Sequence, residues 1–312
     1  MMKGTFAKRI TLFVLTNLAV VAALAVIAKV LGVESLMARK GVGLNLTALL
    51  IMSAVMGFAG SIISLLLSKT MAKWGSGAKV IETPRTESEQ WLVGTVRRLA
   101  HNAGIGMPEV AIFDSPEMNA FATGARRDSA LVAVSTGLLQ GMRRDEVEAV
   151  LGHEVAHVAN GDMVTLTLLQ GVLNTFVIFL SRVVGFVVDR FINRSDDGEE
   201  SSGTGPAYFV VSLLLQIVFG IGASLVVAWF SRRREFRADE GGAQLVNPGA
   251  MARALDRLRV QQGEPSLLPA NIQAFGIRGG GGLLALFASH PPLEVRIQRL
   301  MDAGRAPANA LN

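Results

Sequence analysis

Four stretches of the chain are apolar for long enough to cross a hydrocarbon core as helices, which takes about 20 residues. The four predicted spans are Ile10–Ala28, Leu44–Leu67, Val164–Val188 and Ala207–Phe230. The third contains Gln170, Asn174 and Arg182, which are costly against lipid, so we expect these side chains to face other helices or a wet cavity. The pattern therefore predicts a polytopic membrane protein.

The first apolar stretch has a second interpretation, a cleaved signal peptide. Lys3, Lys8 and Arg9 precede it, and Ala23-Leu24-Ala25 offers a weak cleavage site. The stretch is longer than the apolar core of a signal peptide, which has about 7–15 residues. Its length therefore favours a retained span.

Charged residues beside the spans predict the orientation of the chain. Basic residues follow the second and fourth spans, and an acidic loop joins the third span to the fourth. The basic residues are Lys69, Lys73, Lys79, Arg232, Arg233, Arg234 and Arg237, and the acidic ones are Asp196, Asp197, Glu199 and Glu200. Because cytoplasmic flanks carry the excess of Lys and Arg, the basic flanks are predicted to be cytoplasmic, although Lys29, Arg39 and Lys40 argue weakly against this.

This orientation divides the chain into four parts and puts its two polar segments on one membrane face. Residues 1–71 and 164–230 carry the spans, and residues 72–163 and 231–312 are expected to form one domain together. Within it we predict two helices and three short strands, at Ser88–Ala103 and Asp145–Asn160 for the helices and at Val110–Phe113, Asn119–Thr123 and Leu131–Val134 for the strands.

Composition supports a membrane protein and restricts its chemistry. Half of the 312 residues are apolar, only 18% are charged, and the apolar residues gather in blocks. The net charge of +5 sits beside these blocks, where it would meet lipid headgroups, and no nucleic-acid-binding module is present. Cysteine is absent, so any metal must be bound by nitrogen and oxygen ligands.

The predicted helix Asp145–Asn160 contains a His-Glu-x-x-His pattern at His153, Glu154 and His157. Residues four apart lie on one helix face, so two imidazoles can bind one metal ion, while Glu154 can reach a water beside it. The alternative is a surface helix that happens to carry two histidines. The spacing favours a metallopeptidase with Glu154 as general base.

A catalytic zinc site has three protein ligands and an open position, so a third ligand must come from elsewhere. The metzincin arrangement is excluded, because Asn160 and Met163 stand where its glycine and third histidine belong. His101, His290 and a carboxylate on a nearby helix are candidates. Glu235 is preferred because it follows the fourth span on the same membrane face, although a solvated charged helix remains an alternative there.

Further motifs occur in a defined order along the chain. They are Asn119–Gly124, Asn160-Gly161-Asp162, Glu235-Phe236-Arg237-Ala238-Asp239 and Ser289-His290-Pro291-Pro292. With the spans and the His-Glu-x-x-His helix, this set covers nearly the whole chain and resembles the HtpX-type membrane zinc metalloproteases, relatives of the CAAX prenyl endopeptidases.

The resemblance implies an α+β, mostly helical fold, in which a gluzincin-type metallopeptidase domain with a short mixed sheet is joined to membrane helices. It implies one Zn²⁺ per chain, held by His153, His157 and Glu235, with Asp239 as a hydrogen-bonding partner of a ligand. It also implies a multi-pass protein of the inner (plasma) membrane. The active site would face the cytoplasm, and the enzyme would degrade misfolded or damaged membrane proteins under stress.

The resemblance also suggests roles for residues outside the metal site. Asn119, Ala120 and Phe121 look like an edge strand that pairs with substrate backbone, although an ordinary core strand is the alternative. His290 looks like a donor near the scissile carbonyl, or else a surface histidine before a helix. Arg296 is expected to orient this loop or to pair with a carboxylate. His101 is expected to be structural, and Gly279–Gly282 to be a flexible loop.

The function predicted from these observations is peptide hydrolysis by a membrane-bound zinc endopeptidase. Its partners would be unfolded or membrane protein substrates and the lipid bilayer, with no nucleic acid, and homo-oligomers are compatible with the sequence. A zinc hydrolase of a small molecule or lipid amide would use the same site. A non-catalytic scaffold is disfavoured, because a relic site has no need of Glu154 next to its first ligand.

Overall fold

The computed structural model describes residues 46–192, 206–261 and 288–305 of the chain. The predicted first span, the acidic loop and the Gly279–Gly282 segment lie outside these residues. The helices are α1 (Leu46–Ser76), α2 (Glu87–Ala103), α3 (Thr136–Gly141), α4 (Arg144–Asn160), α5 (Asp162–Ile192), α6 (Pro206–Leu245), α7 (Pro248–Gln261) and α8 (Leu293–Arg305). The strands are β1 (Lys79–Val80), β2 (Glu109–Phe113), β3 (Ala120–Thr123) and β4 (Leu131–Ser135).

The chain forms two compact units, each built from separate parts of the sequence. Within the described residues, the first comprises residues 46–64, 165–192 and 206–227, and the second comprises residues 65–164, 228–261 and 288–305. The division into membrane-spanning segments (residues 1–71 and 164–230) and metallopeptidase segments (residues 72–163 and 231–312) stays a prediction.

Three helices of the described chain are long and apolar enough to cross a membrane. They are Leu46–Ser76, Asp162–Asp189 and Ala207–Leu245. They correspond to the second, third and fourth predicted spans, and each helix is longer than the apolar stretch that predicted it. The fourth runs without a break into its charged sequence, so Glu235 and Asp239 lie on the same helix as the span that precedes them.

Small residues let α1 and α5 approach closely inside the first unit. A Cβ at Gly57 would lie 2.6 Å from the Thr175 backbone nitrogen, and one at Gly171 would lie 2.6 Å from the Phe58 ring. Asn174 Nδ2 donates to Ser61 Oγ across this contact, at 3.4 Å. Asn174 thus faces another helix as predicted.

The other two polar residues of the third predicted span, Arg182 and Gln170, differ in their surroundings. Arg182 lies 3.9 Å from the Met52 sulfur, which again is a contact with α1. Gln170 is exposed within the described residues, so its expected place against another helix or a wet cavity stays a prediction.

A four-stranded mixed sheet lies in the second unit, in the order β1-β2-β4-β3. β2 and β4 are parallel, and β1 and β3 pair with them antiparallel. β3, which contains Ala120 and Phe121, is therefore at one edge of the described sheet. The predicted strands are confirmed, with Asn119 one residue before β3.

The core of the second unit lies between the sheet and helices α2, α4 and α7. Leu92, Leu99 and Val155 from the helices pack with Val132 and Val134 from β4 in one buried cluster. The parallel strand β4 is buried over all five residues, as expected for a continuous apolar run. The sheet thus supports α4, the helix that carries His153 and His157.

Gly161 ends α4 four residues after His157. It has a φ of 69°, a left-handed conformation that glycine adopts without strain, and its N–H bonds the carbonyls of His157 and Val158. The chain turns there and α5 begins at once with Asp162. The turn returns Asp162 to the end of α4 beside His157.

Candidate metal centre

His153 and His157 lie one helical turn apart on the buried face of α4. Their side chains are almost fully enclosed, and their rings meet edge to face with centroids 4.6 Å apart. The two Nε2 atoms are 3.1 Å apart. The structure therefore places two imidazole nitrogens as the spacing of the pattern predicts.

Glu235 brings a carboxylate to the same point from α6. Its Oε2 lies 3.4 Å from His153 Nε2 and its Oε1 lies 3.3 Å from His157 Nε2. The ligand atoms of these three residues lie within 4.8 Å of one another. Ligand atoms about 3.3 Å apart are expected around a tetrahedral ion with bonds of about 2.0–2.1 Å, so the three donors fit a zinc-sized cation.

Two glycines let α6 lie directly against α4 at this point. A Cβ on Gly242 would be 2.9 Å from the His153 backbone nitrogen, and one on Gly241 would be 2.8 Å from the Ala156 Cβ. Gly152 of α4 is similarly close to Val246. The close approach brings the Glu235 side chain within reach of the two histidines.

Each histidine has a carboxylate at its other ring nitrogen. Asp239 Oδ1 lies 3.0 Å from His153 Nδ1, and Asp162 Oδ2 lies 2.7 Å from His157 Nδ1. A proton on Nδ1 donated to the carboxylate leaves the Nε2 lone pair for a metal. Asp239 was predicted as such a partner, whereas Asp162 was not assigned a role.

Buried charges at this site do not balance. The carboxylates are Glu154, Asp162, Glu235 and Asp239, and the guanidinium groups are Arg234 and Arg296. Arg237, which is partly exposed, adds a third positive group 3.5 Å from Asp162 Oδ1. Four negative and three positive groups leave one uncompensated negative charge when the histidines are neutral, which is costly in a buried site. Glu235 Oε2 is moreover buried without a hydrogen-bond partner among the described residues. Both observations fit a dication bound beside Glu235.

Without a metal, protons on the histidines supply part of this compensation. Burial lowers the pKa of His157, but the negative charge of Glu235 and the hydrogen bond with Asp162 outweigh it, so the pKa is raised above its usual value. Burial likewise lowers the pKa of His153, and hydrogen bonds with Asp239 and Glu235 reverse that effect and raise it. Protons and a metal therefore compete for the same site.

The remaining predicted catalytic residues lie at or beside this cluster. Glu154 is 5% exposed and follows His153 on α4. His290 Nδ1 lies 2.8 Å from Glu235 Oε2. Within the described part of the chain neither atom has a hydrogen-bond partner, so this contact is electrostatic and lacks hydrogen-bond geometry. The side chain of His290 is 11% exposed, so it is not a surface histidine.

The other histidine and the predicted substrate strand lie on different elements. His101 is exposed in the last turn of α2 and is not part of the cluster. Asn119 accepts from the Ser135 backbone N–H through its carbonyl, while its side-chain oxygen is buried without a hydrogen-bond partner. Ala120 and Phe121 are buried in β3, and β3 packs against α4.

The sequence profile described as Peptidase family M48 matches residues 86–303 of the chain, which include every residue of the cluster. This chain belongs to peptidase family M48. Among the relatives of this M48 peptidase is the "Protease HtpX homolog" of Nitrosomonas eutropha, which is 59% identical over 297 residues, covering 95% of this chain and 100% of that protein. "Protease HtpX" of Alkalilimnicola ehrlichii is 58% identical over 301 residues, covering 95% and 98%.

A solved structure has a similar fold. The crystal structure of S. mikatae Ste24p superposes with a TM-score of 0.59 at 17% identity, covering 93% of this chain and 67% of that one. The family, the HtpX relatives and the three apolar helices together make this M48 peptidase a membrane metalloprotease that hydrolyses peptide bonds. The mostly helical α+β fold and the family resemblance predicted from sequence are confirmed.

Proposed function

We propose that this protein is a zinc endopeptidase that cleaves misfolded or damaged membrane proteins as part of a stress response, with one Zn²⁺ per chain held by His153, His157 and Glu235. The observation that carries the proposal is the convergence of the two imidazole Nε2 atoms, 3.1 Å apart, on the two oxygens of Glu235, which lie 3.3 and 3.4 Å from them, next to the buried Glu154. Two imidazoles and one carboxylate are a known ligand set of catalytic zinc, and it leaves one position open.

The proposed chemistry assigns each residue at the site a task. When bound, zinc acts as a Lewis acid that activates water and polarises the scissile carbonyl. Glu154 accepts a proton from the attacking water and passes it to the leaving amine. Asp239 and Asp162 accept from the Nδ1–H groups of the two histidines and so fix their tautomers.

Two further elements would hold the substrate. The edge strand β3, with Asn119 before it and Ala120 and Phe121 in it, would pair with an extended substrate backbone, which gives affinity with little sequence selection. Because these residues are buried, this pairing requires the strand edge to be uncovered when substrate binds. His290 would donate a hydrogen bond to the developing oxyanion.

The substrate class can be tested with purified full-length protein in liposomes. We expect zinc-dependent cleavage of an unfolded membrane protein and of casein, loss of cleavage with a chelator, and recovery when zinc is added. A panel of lipid amides under the same conditions tests the second candidate function. Hydrolysis of the amides without cleavage of either protein would reject the peptidase proposal for these substrates.

The proposed location is the inner membrane, with the active site in the cytoplasm, and it rests on the basic flanks of the spans. Because the sequence has no cysteine, a single introduced cysteine can be labelled selectively. In spheroplasts, an impermeant maleimide should label Glu199→Cys but not Glu87→Cys, whose side chain is 84% exposed in the second unit. The reverse pattern would invert the proposed orientation.

Replacing Asp162 by Asn should weaken zinc binding by about 10–100-fold, because a neutral amide holds the His157 tautomer less firmly than a carboxylate does. Competition with a chromophoric chelator measures the zinc affinity. Asp256→Asn is the matched control, since Asp256 pairs with Arg259 at an exposed site on α7. Equal zinc affinities in the wild type and Asp162→Asn would remove Asp162 from the metal site.

Zinc affinity should rise with pH. The raised pKa of His157 means that both ring nitrogens are protonated in the metal-free protein at neutral pH. Zinc must displace the second proton to bind the ring. Calorimetric titrations at pH 7 in two buffers of different ionisation enthalpy should therefore report net proton release on zinc binding. Heats that do not depend on the buffer would contradict the proposed competition.

A further inference from the structure

Arg296 is fully buried, although it lies on neither of the two helices that carry the metal-binding residues. It is in the first turn of α8, where its backbone N–H donates to the Pro292 carbonyl, and its side chain is 0% exposed. A buried guanidinium is tolerated only where carboxylates compensate its charge and accept its hydrogen bonds. The surroundings of Arg296 therefore indicate what holds it in place.

The guanidinium of Arg296 donates two hydrogen bonds to the carboxylate of Asp239. Nε donates to Oδ2 at 2.8 Å, and Nη2 donates to Oδ1 at 2.6 Å. Asp239 Oδ1 is also the oxygen that lies 3.0 Å from His153 Nδ1. Both oxygens of Asp239 are thus engaged, which restrains this carboxylate to the outer side of the His153 ring.

The same guanidinium reaches two of the proposed ligands. Nη2 lies 3.5 Å from His153 Nδ1, and Nη1 lies 3.5 Å from Glu235 Oε2. Both Nη1 and Glu235 Oε2 are buried, and no described residue forms a hydrogen bond with either atom. Arg296 thus places positive charge beside Glu235 without tying up the carboxylate oxygen by a hydrogen bond.

Electrostatics agree with this geometry. Burial disfavours the charged form of Arg296, but the charge and hydrogen bonds of Asp239, with the charges of Glu235 and Glu154, keep the pKa of its guanidinium above the usual value. Arg296 therefore stays a cation and is the one group in the described chain that contacts Asp239, Glu235 and His153 together.

We propose that Arg296 is a positioning residue of the metal centre. It holds Asp239 beside His153 and balances the charge of Glu235, so that the ligands are arranged before the metal binds. This proposal rests on the proposed zinc site. A merely structural role would be to attach α8 to α6 by the ion pair with Asp239. The two roles differ in their effect on the metal itself.

The test compares three variants of the full-length protein in detergent. Arg296→Met removes the charge and the hydrogen bonds, and Arg296→Lys keeps the charge but offers only one nitrogen to Asp239. Arg299→Met is the matched control, because Arg299 lies on the same helix, pairs with Glu240 and has a side chain that is 56% exposed. Readouts are zinc affinity, the visible spectrum of the Co²⁺-substituted protein, and kcat and KM separately.

We expect Arg296→Met to bind zinc about 10–100-fold more weakly and to show an altered Co²⁺ spectrum. It should lower kcat more than it raises KM. Arg296→Lys should have a zinc affinity between those of wild type and Arg296→Met, and Arg299→Met should match wild type. A double-mutant cycle combines Arg296→Met with Asp239→Asn. The double variant should lose less zinc affinity than the sum of the two single losses, because both changes break the same Arg296–Asp239 interaction.

Several outcomes would overturn the proposal. Wild-type zinc affinity and Co²⁺ spectrum in Arg296→Met, with only a lowered melting temperature, would assign Arg296 a structural role. If that variant does not fold, wild-type zinc affinity in Arg296→Lys would show that the paired hydrogen bonds are not needed. A wild-type protein that binds no zinc would refute the proposed zinc site itself, which is a different result from zinc binding that Arg296 does not affect.

Discussion

Replacing Glu154 by Gln should abolish peptide hydrolysis while zinc binding is retained. Gln keeps the size of the side chain but cannot accept the proton of the attacking water, and general acid–base catalysis contributes about 10²–10⁴-fold to the rate. Glu154 is absent from the three-residue ligand cluster, so zinc affinity should change little. Single-turnover cleavage of a fluorogenic peptide, with metal analysis of the same sample, measures both quantities.

The control for this experiment lies on the same helix. Glu148 of α4 pairs with Arg98 away from the cluster, so Glu148→Gln should cleave the peptide at the wild-type rate. A Glu154→Gln protein that carries zinc and still hydrolyses the peptide at the wild-type rate would exclude Glu154 as the general base.

Replacing Glu235 by Gln should remove the proposed third ligand and with it most of the zinc affinity. If four ligands share the roughly 10–16 kcal/mol of apparent zinc-binding free energy, one ligand contributes about 3 kcal/mol, which corresponds to about 100-fold in affinity. Activity should fall in parallel and recover partly at high zinc concentration. Chelator competition measures the affinity, and the same competition applied to Glu240→Gln provides the control.

Glu240 is a suitable control because it lies on α6 only five residues from Glu235. Its side chain is 46% exposed and pairs with Arg299, away from the ligand cluster. Unchanged zinc affinity in Glu235→Gln would leave the site without a third protein ligand and would favour a different donor set.

Local patterns sufficed to predict much of this molecule. The apolar runs predicted the three described membrane helices, because a lipid environment requires long uninterrupted apolar helices. The spacing of His153 and His157 fixes their relative position, because one helical turn determines it. Glu235 could be preferred to His101 as the third metal ligand, because the predicted topology puts its helix on the same membrane face as His153 and His157. Three of the four described strands were found within a residue, because short apolar runs between turn residues are a local signal, whereas the two-residue β1 was not predicted.

Residues whose roles depend on tertiary contacts could not be predicted in the same way. Asp162 reaches His157 only because Gly161 turns the chain between two helices, and Asn160-Gly161-Asp162 was the only signal for it. Arg296 was expected to orient its loop or to pair with a carboxylate, but that this carboxylate is Asp239, 57 residues away, depends on how α8 packs. Gly241 and Gly242 appear as weak helix formers in the sequence, whereas in the fold they allow α6 to touch α4.

X-ray absorption at the zinc edge of the zinc-loaded, full-length protein is the most direct test of the metal site. The proposed site predicts one zinc per chain, with two imidazole nitrogens at about 2.0–2.1 Å and the remaining ligands oxygen. The Glu235→Gln sample should lose an oxygen ligand from this shell or bind no zinc. A zinc environment with fewer than two imidazoles in the wild type would contradict a site formed by His153, His157 and Glu235.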